Sequence, residues 1–263
     1  MIEAVAVPRL YNHGRRVDDA VVLFHGFTNC PQQFDELARR FHTRNCNVYV
    51  PRIPLHGYKD RLTRALSDLD VASLQKSATD AYLFARGLGE RVTVLGLSLG
   101  ATMALWVAQT QAVDLAVAIA PFLTPIGFPR WLGDISMRAL YALPDQYWWW
   151  DPRLKEKCRP PYAYPGYPTH ALAECVFLGD AVFAEAGQPP RARNCIFVSN
   201  ATESAVNNGV SRELLAQWRK DGATRYSEVV LTDLGAPRHD IIDPTTFPQA
   251  RTLVYPKLEA LVL

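Results

Sequence analysis

Short apolar, β-branched runs alternate along this chain with longer stretches in which apolar residues return at helical spacing. Residues 21–24, 47–50, 92–95, 115–119, 196–198 and 229–231 read as buried strands, because a continuous apolar run with no polar alternation marks a strand covered on both faces. Between them lie predicted helices. In 34–41, Phe34, Leu37, Ala38 and Phe41 share one stripe; in 71–87, Leu74, Ala78, Ala81 and Phe84 do so. Residues 101–109, 212–218 and the C-terminal stretch from Phe247 complete the set. This rhythm implies an α/β architecture, a mostly parallel sheet with helices on both faces.

The rhythm breaks between Pro121 and about Pro168, a tract rich in proline and aromatics that includes Tyr147, Trp148, Trp149 and Trp150 in a row. It holds no convincing buried strand. It is expected to be an insertion, partly helical over 137–143, that lies over the sheet as a cap. No internal repeat or low-complexity tract interrupts the rest, so 1–263 is expected to form one domain carrying this cap at about 121–168.

Composition narrows the picture. The chain has 263 residues, 49% hydrophobic and 21% charged, with a net charge of only +2 spread in both signs. That is a globular profile, with no basic stripe for nucleic acid and no polybasic membrane anchor. Five scattered cysteines, without a CxxC pair, suit neither a disulfide framework nor a zinc site, and no metal or organic cofactor is implied. Cys46 and Cys195 lie in apolar runs and read as core. No basic n-region precedes a long apolar segment, and no apolar run approaches the ~18 residues of a membrane span, so a cytoplasmic address is expected.

The strongest local motif is Gly96-Leu97-Ser98-Leu99-Gly100, between the strand VTVL and the helical run ATMALWVAQ. A serine on so tight a strand-to-helix turn leaves no room for side chains two positions either side, hence glycine at both. The turn lifts the hydroxyl to the carboxyl edge of the sheet, beside a helix N-terminus whose free N–H groups favour a developing oxyanion.

With this motif, the early VVLFHGFT and the late segments IFVSNATESAVNN and APRHDIID, the chain resembles the α/β-hydrolase superfamily from about Ala20 to its C-terminus. It looks most like the small carboxylesterase and monoacylglycerol-lipase-like branch. The resemblance implies a Ser98 nucleophile, with the backbone N–H groups of Phe27 and Leu99 as oxyanion hole. The base comes last in the order of that fold. Of the two histidines after the elbow, His170 falls beside the insertion, whereas His239 follows a strand and precedes the last helix. His25, early in the chain, reads as structural. The acid is expected after the penultimate strand, where the first carboxylate is Glu203, a glutamate where the family commonly has aspartate. Asp240 and Asp243 neighbour His239, but sequence neighbours point poorly at one another's rings, so Asp240→Asn is expected to be mild.

The implied reaction is hydrolysis of a small-molecule carboxylic ester of short-to-medium acyl chain, including monoacylglycerols, through an acyl-enzyme. Phe122, Leu123, Ile126, Phe128 and Trp131 are assigned to the substrate pocket by the cap's composition. Serine at the elbow argues against dehalogenase or epoxide-hydrolase chemistry, which needs aspartate there. A thioesterase or peptidase with the same three residues stays open, as does a non-catalytic ligand-binding member of the fold.

Overall fold

The computed structural model describes residues 1–220 and 222–263. In chain order its strands are β1 (Arg9–Tyr11), β2 (Val17–Phe24), β3 (Asn47–Val50), β4 (Gly89–Leu97), β5 (Leu115–Ile119), β6 (Tyr147–Trp149), β7 (Gly166–Pro168), β8 (Asn194–Asn200) and β9 (Tyr226–Leu231). Its helices are α1 (Asp35–Thr43), α2 (Val71–Ala85), α3 (Leu99–Thr110), α4 (Arg130–Tyr141), α5 (Thr169–Glu185), α6 (Asn208–Trp218) and α7 (Tyr255–Val262).

Seven strands form one sheet in the order β1-β3-β2-β4-β5-β8-β9. All neighbours run parallel except β1, which pairs antiparallel with β3 at the edge. The six apolar runs all become the parallel strands. Val21, Val22, Leu23 and Phe24 are fully buried, as are Val94 and Leu95. Removing both faces of these strands from water is the dominant favourable contribution, about 25 cal/mol per Å² of apolar surface. β1 is only three residues long and half-exposed, too short for a hydrophobic pattern to mark it.

Two departures from the sequence reading concern the chain after β5. The 121–168 tract does hold strands: β6 and β7 pair antiparallel, with Trp148 opposite Tyr167, and β7 is buried throughout. The helix expected over 137–143 instead runs from Arg130 to Tyr141. Beyond the tract, the seventeen-residue α5 was not expected at all. It packs among α2, α3 and α4. Residues on all its sides are buried, the consecutive Ala171, Leu172, Ala173 and Glu174 among them. Burial on every side erases the one-sided stripe by which a helix is recognised.

All parallel strands deliver their carboxyl ends to one edge, and backbone pairing continues beyond them. Ser98 N–H donates to the Ile119 carbonyl at 3.0 Å, Ala120 N–H to Val198 at 2.9 Å, and Ala201 N–H to Leu231 at 2.9 Å. This edge carries the candidate site. All five cysteines are free, and burial pushes the Cys30 and Cys46 thiols up to about 12 and about 11. Among the described residues no helix is long and apolar enough to cross a membrane.

Candidate active site

Ser98 caps α3 with φ 59° and ψ −119°, a sparsely populated conformation for a residue with a Cβ. Such strain costs of order 1–3 kcal/mol and persists only where the surroundings enforce it. The enforcement is visible at the flanking glycines. A Cβ on Gly96 would lie 2.1 Å from the Gly100 carbonyl oxygen, and one on Gly100 would lie 2.1 Å from the Phe24 carbonyl oxygen. Neither backbone atom can yield, so the turn admits only glycine at both places. Leu99 is the first residue of α3, and its N–H is one of the donors a helix start leaves without an intrahelical partner.

The loop after β2 carries Phe27 and is tied down from several directions. His25 is fully buried. Its Nδ1 lies 3.0 Å from the Gly26 carbonyl, and its Nε2 lies 3.1 Å from the Ile53 N–H. Both contacts are satisfied by one neutral tautomer, with Nδ1–H donating and Nε2 accepting. Burial, then the neighbouring His56, holds this imidazole well below its ordinary range. The ring is a strut between two loops, as its early position in the chain suggests. Thr28 Oγ1–H donates to the Phe27 carbonyl at 2.6 Å, while Trp150 Nε1–H donates to the same Oγ1 at 2.8 Å. Tyr164 N–H reaches the Thr28 carbonyl at 2.8 Å.

Glu203 and His239 arrive on the turns after β8 and β9. His239 Nδ1 lies 2.8 Å from Glu203 Oε1. The glutamate folds back on its own turn, so that Oε1 also accepts the N–H groups of Ser204 and Ala205, each at 2.8 Å. The extra methylene is what allows one oxygen to fasten the turn and meet the imidazole. Burial pushes this carboxyl up, but the hydrogen bond and charge of His239 and the backbone N–H groups outweigh it, and the group is held below the ordinary glutamate value. Asn200 fixes the two turns to each other: its Nδ2 donates to the Arg238 carbonyl at 2.6 Å, and Arg238 N–H returns to the Thr202 carbonyl at 2.9 Å.

The other carboxylates near His239 point elsewhere. Asp240 accepts from the side chain of Gln33 and from the N–H groups of Ile242 and Asp243. Asp243 is engaged by Tyr162 and Thr245. His170 packs on Tyr141, with Nε2 at 2.8 Å from the Leu143 carbonyl, away from this edge.

Ser98 and His239 line a cavity of about 250 Å³, walled by Phe27, Phe122, Pro125, Ile126, Trp150, Tyr167 and Leu172, with Ser204 and Ala205 at one side. Of the five cap residues assigned to a pocket, Phe122 and Ile126 lie in this wall. Leu123, Phe128 and Trp131 do not, which corrects the assignment. Leu123 turns into the core against Gly179 of α5, and Phe128 and Trp131 are 38% and 63% exposed. Composition puts these side chains in one tract but cannot say which way each faces. Trp150, Tyr167 and Leu172 take their place, the last from the helix that the sequence reading missed. Ile126 is held there by its N–H to the Ala205 carbonyl, 2.8 Å. A smaller notch shares Phe27, Ser98, Trp150 and His239 with this cavity and is lined in addition by Asn29, Gln33, Arg159 and Asp240. Among the described residues no group of three or more His, Cys, Asp or Glu gathers as a metal site would.

Residues 21–252 match the alpha/beta hydrolase family. A thermostable monoacylglycerol lipase from Bacillus sp. (strain H-257) is 32% identical over 130 residues, covering 44% of this chain and 50% of that protein. The match thus spans half the length of this relative. Two solved structures are similar over nearly the whole chain. A structure from work on the metagenome-derived lipolytic enzymes LipS and LipT has a TM-score of 0.72 at 18% identity, covering 100% of this chain and 99% of the other. The monoacylglycerol lipase of Paleococcus ferrophilus gives 0.67 at 16%, covering 97% of each. At these identities the likeness is one of fold.

Proposed function

The chain belongs to the alpha/beta hydrolase family, and on that premise we propose that it is a serine hydrolase of carboxylic esters with lipophilic acyl groups. One observation carries the reading: a serine held in a strained turn shares an apolar cavity with His239, whose Nδ1 lies 2.8 Å from Glu203 Oε1 behind it. A strained polar residue next to a partly buried carboxylate–imidazole pair is costly to keep and is the arrangement a nucleophile requires.

Ser98 Oγ attacks the ester carbonyl as His239 Nε2 takes its proton. Glu203 accepts Nδ1–H, fixing the tautomer, and its charge stabilises the imidazolium. The N–H groups of Phe27 and Leu99 receive the oxyanion, each donor contributing about 3–4 kcal/mol in comparable sites. His239 then protonates the departing alcohol, leaving the acyl group on Ser98. Water, deprotonated by the same imidazole, releases the acid. The acyl chain lies against Phe122, Ile126, Tyr167 and Leu172, under a cap formed by the 121–168 tract. The apolar wall, and the Bacillus lipase among the relatives, support monoacylglycerols as substrates.

The test is turnover of p-nitrophenyl esters from acetate to palmitate by the wild type and by Ser98→Ala. Activity confined to the wild type, extending beyond acetate, supports the reading. Equal activity in both proteins overturns it.

A further inference from the structure

We propose that Gln33 and Asp240 are positioning residues that lock the oxyanion loop and the histidine loop into one frame. The inference rests on the serine-hydrolase reading above and names residues outside the Ser98–His239–Glu203 set.

Gln33 lies in the 3-10 turn Pro31–Phe34 that precedes α1, and is 2% exposed. Its Oε1 accepts the Gly26 N–H at 2.7 Å, and its Nε2 donates to Asp240 Oδ2 at 2.8 Å. Asp240 Oδ1 accepts the N–H groups of Ile242 and Asp243 at 3.1 and 3.0 Å. The amide cannot be turned over, because Gly26 offers only a donor and the carboxylate only acceptors. The chain of bonds therefore runs in one sense, from the loop carrying Phe27 to the residue after His239. It crosses 207 positions of sequence, and both members line the notch that reaches Ser98.

The consequence is geometric. The Phe27 N–H must face the oxyanion while the His239 imidazole faces the serine, and these groups come from opposite ends of the chain. The elbow fixes Ser98 and Leu99 but neither of them. Asn200 joins the histidine loop to the acid turn, which leaves the oxyanion loop to be joined by Gln33 and Asp240. Asp240 is then not the bystander that its sequence position suggests.

The bridge can be broken and rebuilt with conserved charge. In Asp240→Asn, the new NH2 faces that of Gln33, and turning either amide over strips an acceptor from Gly26 or from Ile242 and Asp243. In Gln33→Glu, two carboxylates face each other. In Gln33→Glu/Asp240→Asn the new carboxylate accepts from both Gly26 and the new amide, whose oxygen keeps the two loop N–H groups. The experiment measures kcat and KM on a p-nitrophenyl ester, together with Tm, for wild type, both single variants and the double. A misplacement of about 1 Å costs as much as 100-fold, so each single variant is expected to lose about 10- to 100-fold in kcat with KM little changed, and the double to recover most of kcat and Tm. A Tm that falls and recovers while kcat stays at the wild-type value overturns the positioning role and leaves a purely structural bridge. A double variant no better than the worse single overturns the bridge itself. Failure of the serine-hydrolase reading is distinguishable, since it appears as full activity in Ser98→Ala while the Tm coupling between positions 33 and 240 stands.

Discussion

The side chain of Asn200 grips the main chain of Arg238, Nδ2 to carbonyl oxygen at 2.6 Å, and so sets the distance between the turns that carry Glu203 and His239. Asn200 is 1% exposed, and its Oδ1 also accepts from Thr202 N–H at 3.0 Å. Asn200→Ala leaves these partners unsatisfied in a buried place, a loss of about 1–3 kcal/mol. The imidazole should also lose its fixed approach to the serine. The expected result is a lower Tm together with a fall in kcat that exceeds any change in KM. A variant that loses stability but keeps wild-type kcat would show that the turns hold their spacing without it.

Ser98→Ala should remove activity by a factor on the order of 10⁶ in kcat, as in other serine hydrolases. Phenylmethylsulfonyl fluoride should add its mass to the peptide containing Ser98 and to no other. Mass spectrometry of the digested, labelled protein decides this, and a label elsewhere with Ser98 unmodified would count against the nucleophile.

Glu203→Gln should fold, since the new amide oxygen can still fasten the turn through Ser204 and Ala205. It should nevertheless lose about 10³- to 10⁴-fold in kcat, because a neutral amide does not stabilise the imidazolium and can present the wrong group to Nδ1. Glu203→Asp tests the length of the arm. The shorter side chain cannot both reach His239 and cap its own turn, so kcat should fall again, with the charge intact. Steady-state kinetics on one ester compares the two, and wild-type kcat in Glu203→Gln would remove Glu203 from the mechanism.

Buried methylenes contribute about 0.8 kcal/mol each, so kcat/KM should climb from acetate and peak between butyrate and decanoate before the cavity is full. Leu172 lies in the cavity wall. Leu172→Trp should shift the peak to shorter chains without lowering the rate on acetate. A profile highest at acetate, or acyl-CoA cleaved faster than every oxygen ester, would contradict the lipophilic substrate.

Acid should destabilise the fold through its buried histidines. Burial lowers the His56 imidazole to about 4, and Nδ1 lies 2.9 Å from the Pro54 carbonyl. The unfolded ring takes up its proton near pH 6.5 and the folded one only near 4, so this contribution is whole above about 6.5 and is eroded as pH falls to about 4. The full shift corresponds to about 3 kcal/mol. Asp180, pushed up to about 7 by burial and by Asp134, works in the opposite sense across the same window. The clean observable is therefore the difference between wild type and His56→Asn, in which an amide N–H replaces Nδ1–H. Chemical denaturation from pH 7 to 4 should show the variant losing less stability than the wild type, and parallel curves would refute the assignment.

Much of the fold is legible in the sequence where burial is one-dimensional. The six parallel strands are covered on both faces and show as unbroken apolar runs. The turn at Ser98 shows because its sterics demand glycine at fixed offsets, and His239 and Glu203 are singled out by the residue order of the family that the motifs resemble, once the strands are placed. What escapes is whatever depends on a partner far along the chain. Gln33 is an ordinary residue until it meets Asp240, and Asn200 until it meets Arg238. α5 hides because it is buried on every side, and β6 and β7 hide because three residues carry no period. Phe128 and Trp131 mislead because hydrophobicity predicts burial only on average, and both lie at the surface.

Trp150 belongs to the 121–168 tract, yet its indole N–H is bonded to Thr28, one residue beyond Phe27. The Thr28 carbonyl accepts a second bond from the same tract, the N–H of Tyr164, so this stretch and the loop carrying Phe27 are fastened at both polar atoms of one threonine. Anything that repacks Trp150 or Tyr164 is therefore felt one residue away from Phe27, and a wall residue of the cavity is at the same time a brace for the loop opposite it.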